Sequence, residues 1–254
     1  MDFFEQANEH VRELNANERK IFEYVVRNVD RVKEMQIRTL AAECFVSTTT
    51  IMRFAKKLGF SGYREFSDAL RVASHAAAQS QLPSVLMRQT YGEEYLKNII
   101  ESVRVLTEGK VDLFRRALAG NPRIFCFGTG LDGEIARYAY RLLSSLGYRA
   151  ACPMEAFERK ASVERMEDGD VLYLFSLTGE DEETLDFVER ARLRCKPTIM
   201  TVTQSANNTL QSLSDVDLYV FTDKITVRDE NLSSRSSMLA LVELLAHGLL
   251  KGEK

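Results

Sequence analysis

Apolar positions recur along the chain with two different periods, and the change from one to the other divides it. Over the first part the spacing is three and four residues, the period of helices buried along one face. Residues 3 to 14 form a short opening helix by this pattern. Asn15 with Glu18 three positions on makes a capping box, and Ile21, Tyr24, Val25 and Val26 then supply the core face of a second helix. Ile37 to Cys44 reads as a short amphipathic helix, Phe45-Val46-Ser47 as a tight corner, and Thr48 to Leu58 as another helix. Ser47 is a good cap for that last helix, and Gly59 stands where a helix end favours a left-handed residue. Its apolar stripe is Ile51, Phe54, Ala55 and Leu58. Phe66, Leu70 and Val72 begin a further helix, and the bundle closes near residue 73.

Residues 74–92 are small and polar and contain Pro83, the composition of a linker. From residue 93 two helices carry Tyr95, Ile99, Ile100 and Val103, then Leu113, Phe114 and Ala117. Beyond them, short continuous apolar runs alternate with helical stretches. Strands are predicted at Ile124–Phe127, Val171–Phe175, Thr198–Thr203 and Leu218–Phe221, with helices over 134–147, 181–193, 208–213 and 236–250. The expected fold class is α/β: a small all-α helix-turn-helix domain over 1–73, followed over 93–254 by a doubly wound parallel sheet in α/β/α layers. Such a sheet takes its ligand at the carboxyl ends of its strands.

Composition narrows the class further. The 254 residues are 45% hydrophobic, enough for two real cores, and no run reaches the roughly 18 to 20 apolar residues of a membrane span. The N-terminus lacks a basic region followed by an apolar run, so a cytoplasmic protein without a membrane partner is expected. Cys44, Cys126, Cys152 and Cys195 stand far apart, which argues against a disulfide framework and a structural zinc site. No metal and no cofactor are expected. The net charge is -3, yet between positions 37 and 72 six basic residues face three acidic ones, a locally basic module on an acidic body.

Two groups of residues carry candidate chemistry. On the capped helix, Ser47, Thr48, Thr49, Thr50 and Arg53 can meet base edges while Lys56 and Lys57 hold phosphates, and Tyr63 in the next turn joins them. In the sheet domain, Gly128-Thr129-Gly130 follows a strand, but neither a third glycine nor an acid ending a second strand completes a dinucleotide signature. Ser176-Leu177-Thr178-Gly179-Glu180 follows the next strand, where hydroxyls and amides before a helix suit a phosphate or simply cap that helix.

The run from Val46 to Phe66 resembles the N-terminal signature of RpiR-type transcriptional regulators, with Phe45 where many of them have a turn glycine. Ser176 to Glu180, with Thr203, Asn208-Thr209-Leu210 and Leu213-Ser214-Asp215, resembles the loops of sugar isomerase (SIS) domains, which such regulators carry behind the helix-turn-helix. The resemblance implies a transcriptional regulator of carbohydrate metabolism that binds an operator in double-stranded DNA and senses a sugar or phosphosugar, and a homodimer or higher homo-oligomer. Its sensing site would comprise Gly128, Thr129, Gly130, Asp132, Ser176, Thr178, Gly179, Glu180 and Asp181. Leu131, Asp132 and Asp181 stand where relatives often have hydroxyl side chains. Two carboxylates facing the pocket would weaken phosphate binding and favour an uncharged or amino-bearing sugar. Isomerases of this fold use glutamate and histidine, whereas the histidines here are His10, His75 and His247, the last expected to be packed or at an interface, and Glu155 and Glu243 have no evident partner. A sensor without turnover is therefore expected. A phosphosugar isomerase and a ligand-free DNA-binding dimer are the alternatives.

Overall fold

A computed structural model describes residues 3–77, 90–228 and 230–251. It divides into two compact units, Met1–Thr107 and Glu108–Lys254. Most of the expected linker, with Pro83, lies outside the described residues.

Among the described residues the first unit contains helices and no strand: α1 (Phe3–His10), a 3-10 turn (Val11–Glu13), α2 (Ala16–Arg27), α3 (Val29–Val32), α4 (Ile37–Glu43), α5 (Thr48–Lys57), α6 (Tyr63–Ala77) and α7 (Thr90–Arg104). The capping box forms as expected, with Asn15 accepting from the Glu18 amide and Glu18 accepting from the Asn15 amide. Phe66 is the centre of an aromatic core, with ring centroids 5.5 Å from Phe3, 5.9 Å from Phe54 and 5.7 Å from Phe60. Val72 differs from expectation: it is 69% exposed, so α6 packs through Phe66 and Leu70 and not through every apolar residue it carries. Helix α7 packs on α2 and belongs to this compact unit, which ends at Thr107.

The second unit is a five-stranded parallel sheet in the order β2-β1-β3-β4-β5, formed by Arg149–Ala151, Arg123–Phe127, Val171–Phe175, Thr198–Gln204 and Val216–Val220. Strands β3 and β5 are buried at every position, which is what a parallel sheet covered on both faces requires. One face packs Phe125, Phe127, Leu172, Leu174 and Ile199 against Phe187, Val188 and Ala191 of α11 (Glu182–Arg194) and Leu210 of α12 (Thr209–Ser212). The other carries α8 (Glu108–Ala117), whose Phe114 meets Tyr173 edge-on at 5.6 Å, with α9 (Gly130–Ser145) and α13 (Ser236–Lys251) beside it. Strand β2, α10 (Ala156–Arg165) and a small hairpin of β6 (Thr226–Val227) and β7 (Glu230–Asn231) are elements beyond those expected.

One buried ion pair pins α8 to the sheet. Lys110 Nζ donates to both the carboxylate and the carbonyl of Asp217 on β5. Removing one partner of such a pair strands the other charge, so Lys110→Met should cost about 3 to 5 kcal/mol, read from urea denaturation.

Candidate functional site

In the first unit, α4 and α5 meet across a short turn, and both ends of α5 are closed by its own chain. Ser47 Oγ accepts from the Thr50 amide at 3.1 Å. At the other end the Phe60 amide donates to Ala55 O and the Gly59 amide to Lys56 O, with Gly59 at φ +86°. This is a Schellman closure, which needs a left-handed residue at its turn. Ile51, Phe54, Ala55 and Leu58 are buried. Thr49, Met52, Arg53 and Lys56, spaced 0, +3, +4 and +7, are exposed on the opposite side. The outward face therefore offers a hydroxyl, a thioether and two cations, and Arg53 and Lys56 make no ion pair among the described residues. Ser47 and Thr48 are exposed at its start, and Thr50 turns its hydroxyl to Ser47 at 2.9 Å.

Two of the expected DNA contacts are committed elsewhere. Lys57 Nζ binds Glu18 Oε2 at 2.8 Å, and the Glu18 side chain is only 7% exposed. Burial raises the Glu18 pKa, but the Lys57 hydrogen bond, the Asn15 amide and the charges of Lys57 and Arg53 outweigh it and hold the carboxyl below its ordinary 4.5. Tyr63 donates its hydroxyl to the Met35 carbonyl at 2.8 Å, and burial pushes its pKa up to about 12. Lys57 and Tyr63 thus brace the helices instead of facing outward. Met52 was missed, although the 49-52-53-56 spacing marks it.

In the second unit, the chain leaves β1 toward α9 and β3 toward α11, so the order of the sheet reverses between these adjacent strands. That is the switch point where open parallel sheets bind ligands. Seven of the nine expected residues lie in the two loops there and Gly130 and Asp132 in the first turn of α9, and the two segments are bonded to one another. Asp132 Oδ2 accepts from the Leu177 amide at 2.9 Å, and Thr129 donates its hydroxyl to Asp181 Oδ2 at 2.9 Å. A Cβ on Gly128 would lie 2.5 Å from the Phe175 carbonyl oxygen, so only glycine lets the strands' ends come this close. Gly179, at φ +70°, sits equally tight on Asn208.

The acids do not meet the site as expected. Asp132 is buried, and Arg235 Nε donates to its Oδ1 at 2.8 Å. Asp181 caps α11, its Oδ1 accepting from the Thr184 amide and hydroxyl while Thr129 occupies Oδ2. Glu180 holds the amide and hydroxyl of Thr209. One carboxylate is neutralised and the other two are occupied by donors. The premise of a bare charge repelling a phosphate is therefore corrected for Asp132, whereas Asp181 keeps its net charge among neutral donors, and replacing Asp132 by serine would strip Arg235 of its partner instead of clearing the pocket. Sequence reasoning missed Arg235, which lies 103 residues from Asp132.

What remains open to a ligand is a set of donors. Helix α9 first bonds to itself through the Gly133 amide to Thr129 O, so the amides of Gly130, Leu131 and Asp132 are unpaired by the helix. Thr129 at its cap makes no side-chain cap bond, and Gly130, Leu131 and Thr178 are exposed. Ser176 is buried, its Oγ accepting from the Gly179 amide at 3.1 Å. The positive end of a 16-residue helix with three free amides attracts an anionic group.

Residues 117–248 match the SIS domain family and residues 1–78 match the helix-turn-helix domain of the rpiR family. The chain belongs to the RpiR family. The NanR protein of Vibrio vulnificus, complexed with ManNAc-6P, has a similar fold at TM-score 0.55 and 20% identity, over 99% of this chain and 92% of that one. The sugar isomerase domain of an RpiR transcription factor from Sphaerobacter thermophilus matches at TM-score 0.55 and 18% identity, over 67% of this chain and 90% of that one. A putative sugar-phosphate isomerase from Listeria monocytogenes matches at TM-score 0.55 and 16% identity, over 73% of this chain and 91% of that one.

Candidate acid–base groups are dispersed. His247, expected to be packed or at an interface, is exposed on α13 in the single chain, Glu243 accepts from the Tyr138 hydroxyl, and the side chain of His75 lies outside the described residues. Among the described residues, the one histidine–carboxylate pairing is His10–Glu13, in the first unit. No group of three or more possible metal ligands occurs among them, and no described helix is long and apolar enough to cross a membrane.

Two expectations follow. Glu18 binds a proton less readily folded than unfolded, so its pairing stabilises the helical unit above pH 4.5 and the contribution is lost as pH falls through the lower folded value. Lys57→Met should cost about 1 to 3 kcal/mol at neutral pH and blunt that acid sensitivity, measured by urea denaturation at several pH values. Arg235→Met leaves the Asp132 carboxylate buried without its cation, so the second unit should lose about 3 to 5 kcal/mol.

Proposed function

We propose that this RpiR-family chain is a cytoplasmic transcription regulator that binds an operator through α5 and senses a sugar phosphate at the switch point of its SIS domain. The observation that carries the reading is the pairing of two features in one chain. A capped helix presents Thr49, Arg53 and Lys56 outward, and a helix N-terminus with open amides stands at the mouth of a parallel sheet. With Asp132 neutralised by Arg235, one of the two acids expected to oppose an anion at the start of α9 is removed, and the open amides there favour a phosphorylated sugar over the uncharged one expected from the sequence. The ManNAc-6P in the NanR complex supports this ligand class.

The protein binds its effector without converting it. Effector then acts on DNA by preferring one arrangement of the protein over another, since a ligand shifts only an equilibrium whose states it binds differently. A homodimer supplies two recognition helices for half-sites about 34 to 36 Å apart. By the sequence boundaries the DNA-binding part spans 1–73 and the sensing part 93–254, joined by 74–92, with α7 of the latter packing on α2 of the helical unit.

Selection from a random DNA pool should return a two-fold repeated sequence. Arg53→Ala should weaken binding to it by about 1 to 3 kcal/mol and relax preference at one base pair. Lys56→Ala should weaken binding to all sequences and reduce the salt slope by about one. In a thermal-shift panel of sugar phosphates, one ligand at 100 times its dissociation constant should stabilise the protein by about 2.7 kcal/mol and alter operator affinity. Interconversion of aldose and ketose phosphates would overturn the regulator reading in favour of an isomerase. Stabilisation by no sugar would favour a DNA-binding dimer without effector.

A further inference from the structure

Helices α4 and α5 end in the same way, but with different residues at the turn. At the end of α5 the turn residue is Gly59. At the end of α4 the Val46 amide donates to Ala41 O at 2.9 Å and the Phe45 amide to Ala42 O at 3.1 Å, the same pair of bonds, and the turn residue is Phe45 at φ +55°. A bulky side chain in the left-handed region is strained, and glycine meets this geometry without that penalty. The ring recovers nothing inside the protein, because Phe45 is 96% exposed, against no more than 82% for the other exposed large apolar residues among those described. The strain at Phe45 and its bare ring are offset by no contact within the described residues, so a role for the ring has to be sought outside the chain, and its position suggests where. Phe45 directly precedes Val46 and the exposed Ser47, Thr48 and Thr49 at the N-terminus of the helix, whose outward face carries Arg53 and Lys56.

Resting on the DNA-binding reading above, we infer that Phe45 is a specificity-determining residue whose ring packs on a thymine methyl group beside the bases met by the first turn of α5. The major groove displays the methyl as its one apolar mark, and an aromatic ring is a suitable partner for it. Arg53 and Lys56, further along the outward face of the helix that follows, make a polyanion the favoured occupant over an apolar protein surface.

The experiment uses the full chain and its selected operator, with Phe45→Gly and Phe45→Asn, two residues at home in the left-handed region. Both variants should melt no lower than the parent and bind the operator roughly tenfold more weakly, a loss of about 1.4 kcal/mol. Thymine-to-uracil replacement, one position at a time, should cost the parent roughly fourfold at one position per half-site and cost the variants nothing there. Parent-like operator binding by both variants, with no thymine at which they differ from the parent, overturns the proposal. So does unchanged binding in vitro with loss of promoter control in cells, which would assign the ring to a protein partner. Arg53→Ala separates the two levels: if it loses operator binding while Phe45→Gly does not, the DNA reading stands and the role of Phe45 falls. If the parent selects no DNA sequence, both fall together.

Discussion

A carboxylate buried where the chain changes direction across a sheet has to be compensated, and the answer to that demand organises the second unit. Asp132 lies in the first turn of α9, takes the Leu177 amide from the loop after β3, and draws in Arg235 from the segment before α13. Arg235 in turn donates to the carbonyls of Asn231 and Ser233, so the small hairpin is tied to the same point. Three segments distant in the chain are thus held by one ion pair. Its attraction is strong because water is largely excluded there. The amides left over at the start of α9 are open because the acid beside them is already occupied.

The helical unit solves a similar problem by local means. Each helix end needs partners for its unpaired amides and carbonyls. Asn15, Ser47 and Gly59 supply those for α2 and α5 from within a few residues. Glu18 then serves twice, once in the capping box of α2 and once as the anchor of Lys57 on α5. Capping and helix–helix attachment are thereby coupled through one carboxylate. The outward face of α5 is left to residues that contribute little to folding.

How far the sequence is legible follows the same division. Features whose partners lie within a turn, such as the Asn15–Glu18 box and the Ser47 cap, are read correctly, and the apolar runs of β1, β3, β4 and β5 announce a covered parallel sheet. Strand β2 is three residues long and only partly buried, and α10 buries no residue, so neither carries the periodicity by which an element is recognised. Both loops of the candidate site are placed from their residue types. What those residues do inside the loops is not, because the direction of a side chain depends on partners elsewhere: Asp132 on Arg235, Lys57 on Glu18, Tyr63 on the Met35 carbonyl. Phe45 is visible as an oddity in the sequence, but only its backbone conformation and bare ring give the oddity physical meaning.

The two faces of α5 are nearly independent in packing, coupled only through the charge of Arg53 on Glu18. Its buried stripe and closures hold the helix in place whatever stands at positions 49, 52, 53 and 56. Those four positions can therefore be substituted with little effect on the core. The same independence lets the outward face be exchanged between proteins by a handful of codons without redesigning the fold. A one-residue insertion within the helix would turn the later core side chains outward and expose the aromatic centre, so diversification here proceeds by substitution and not by changes of length.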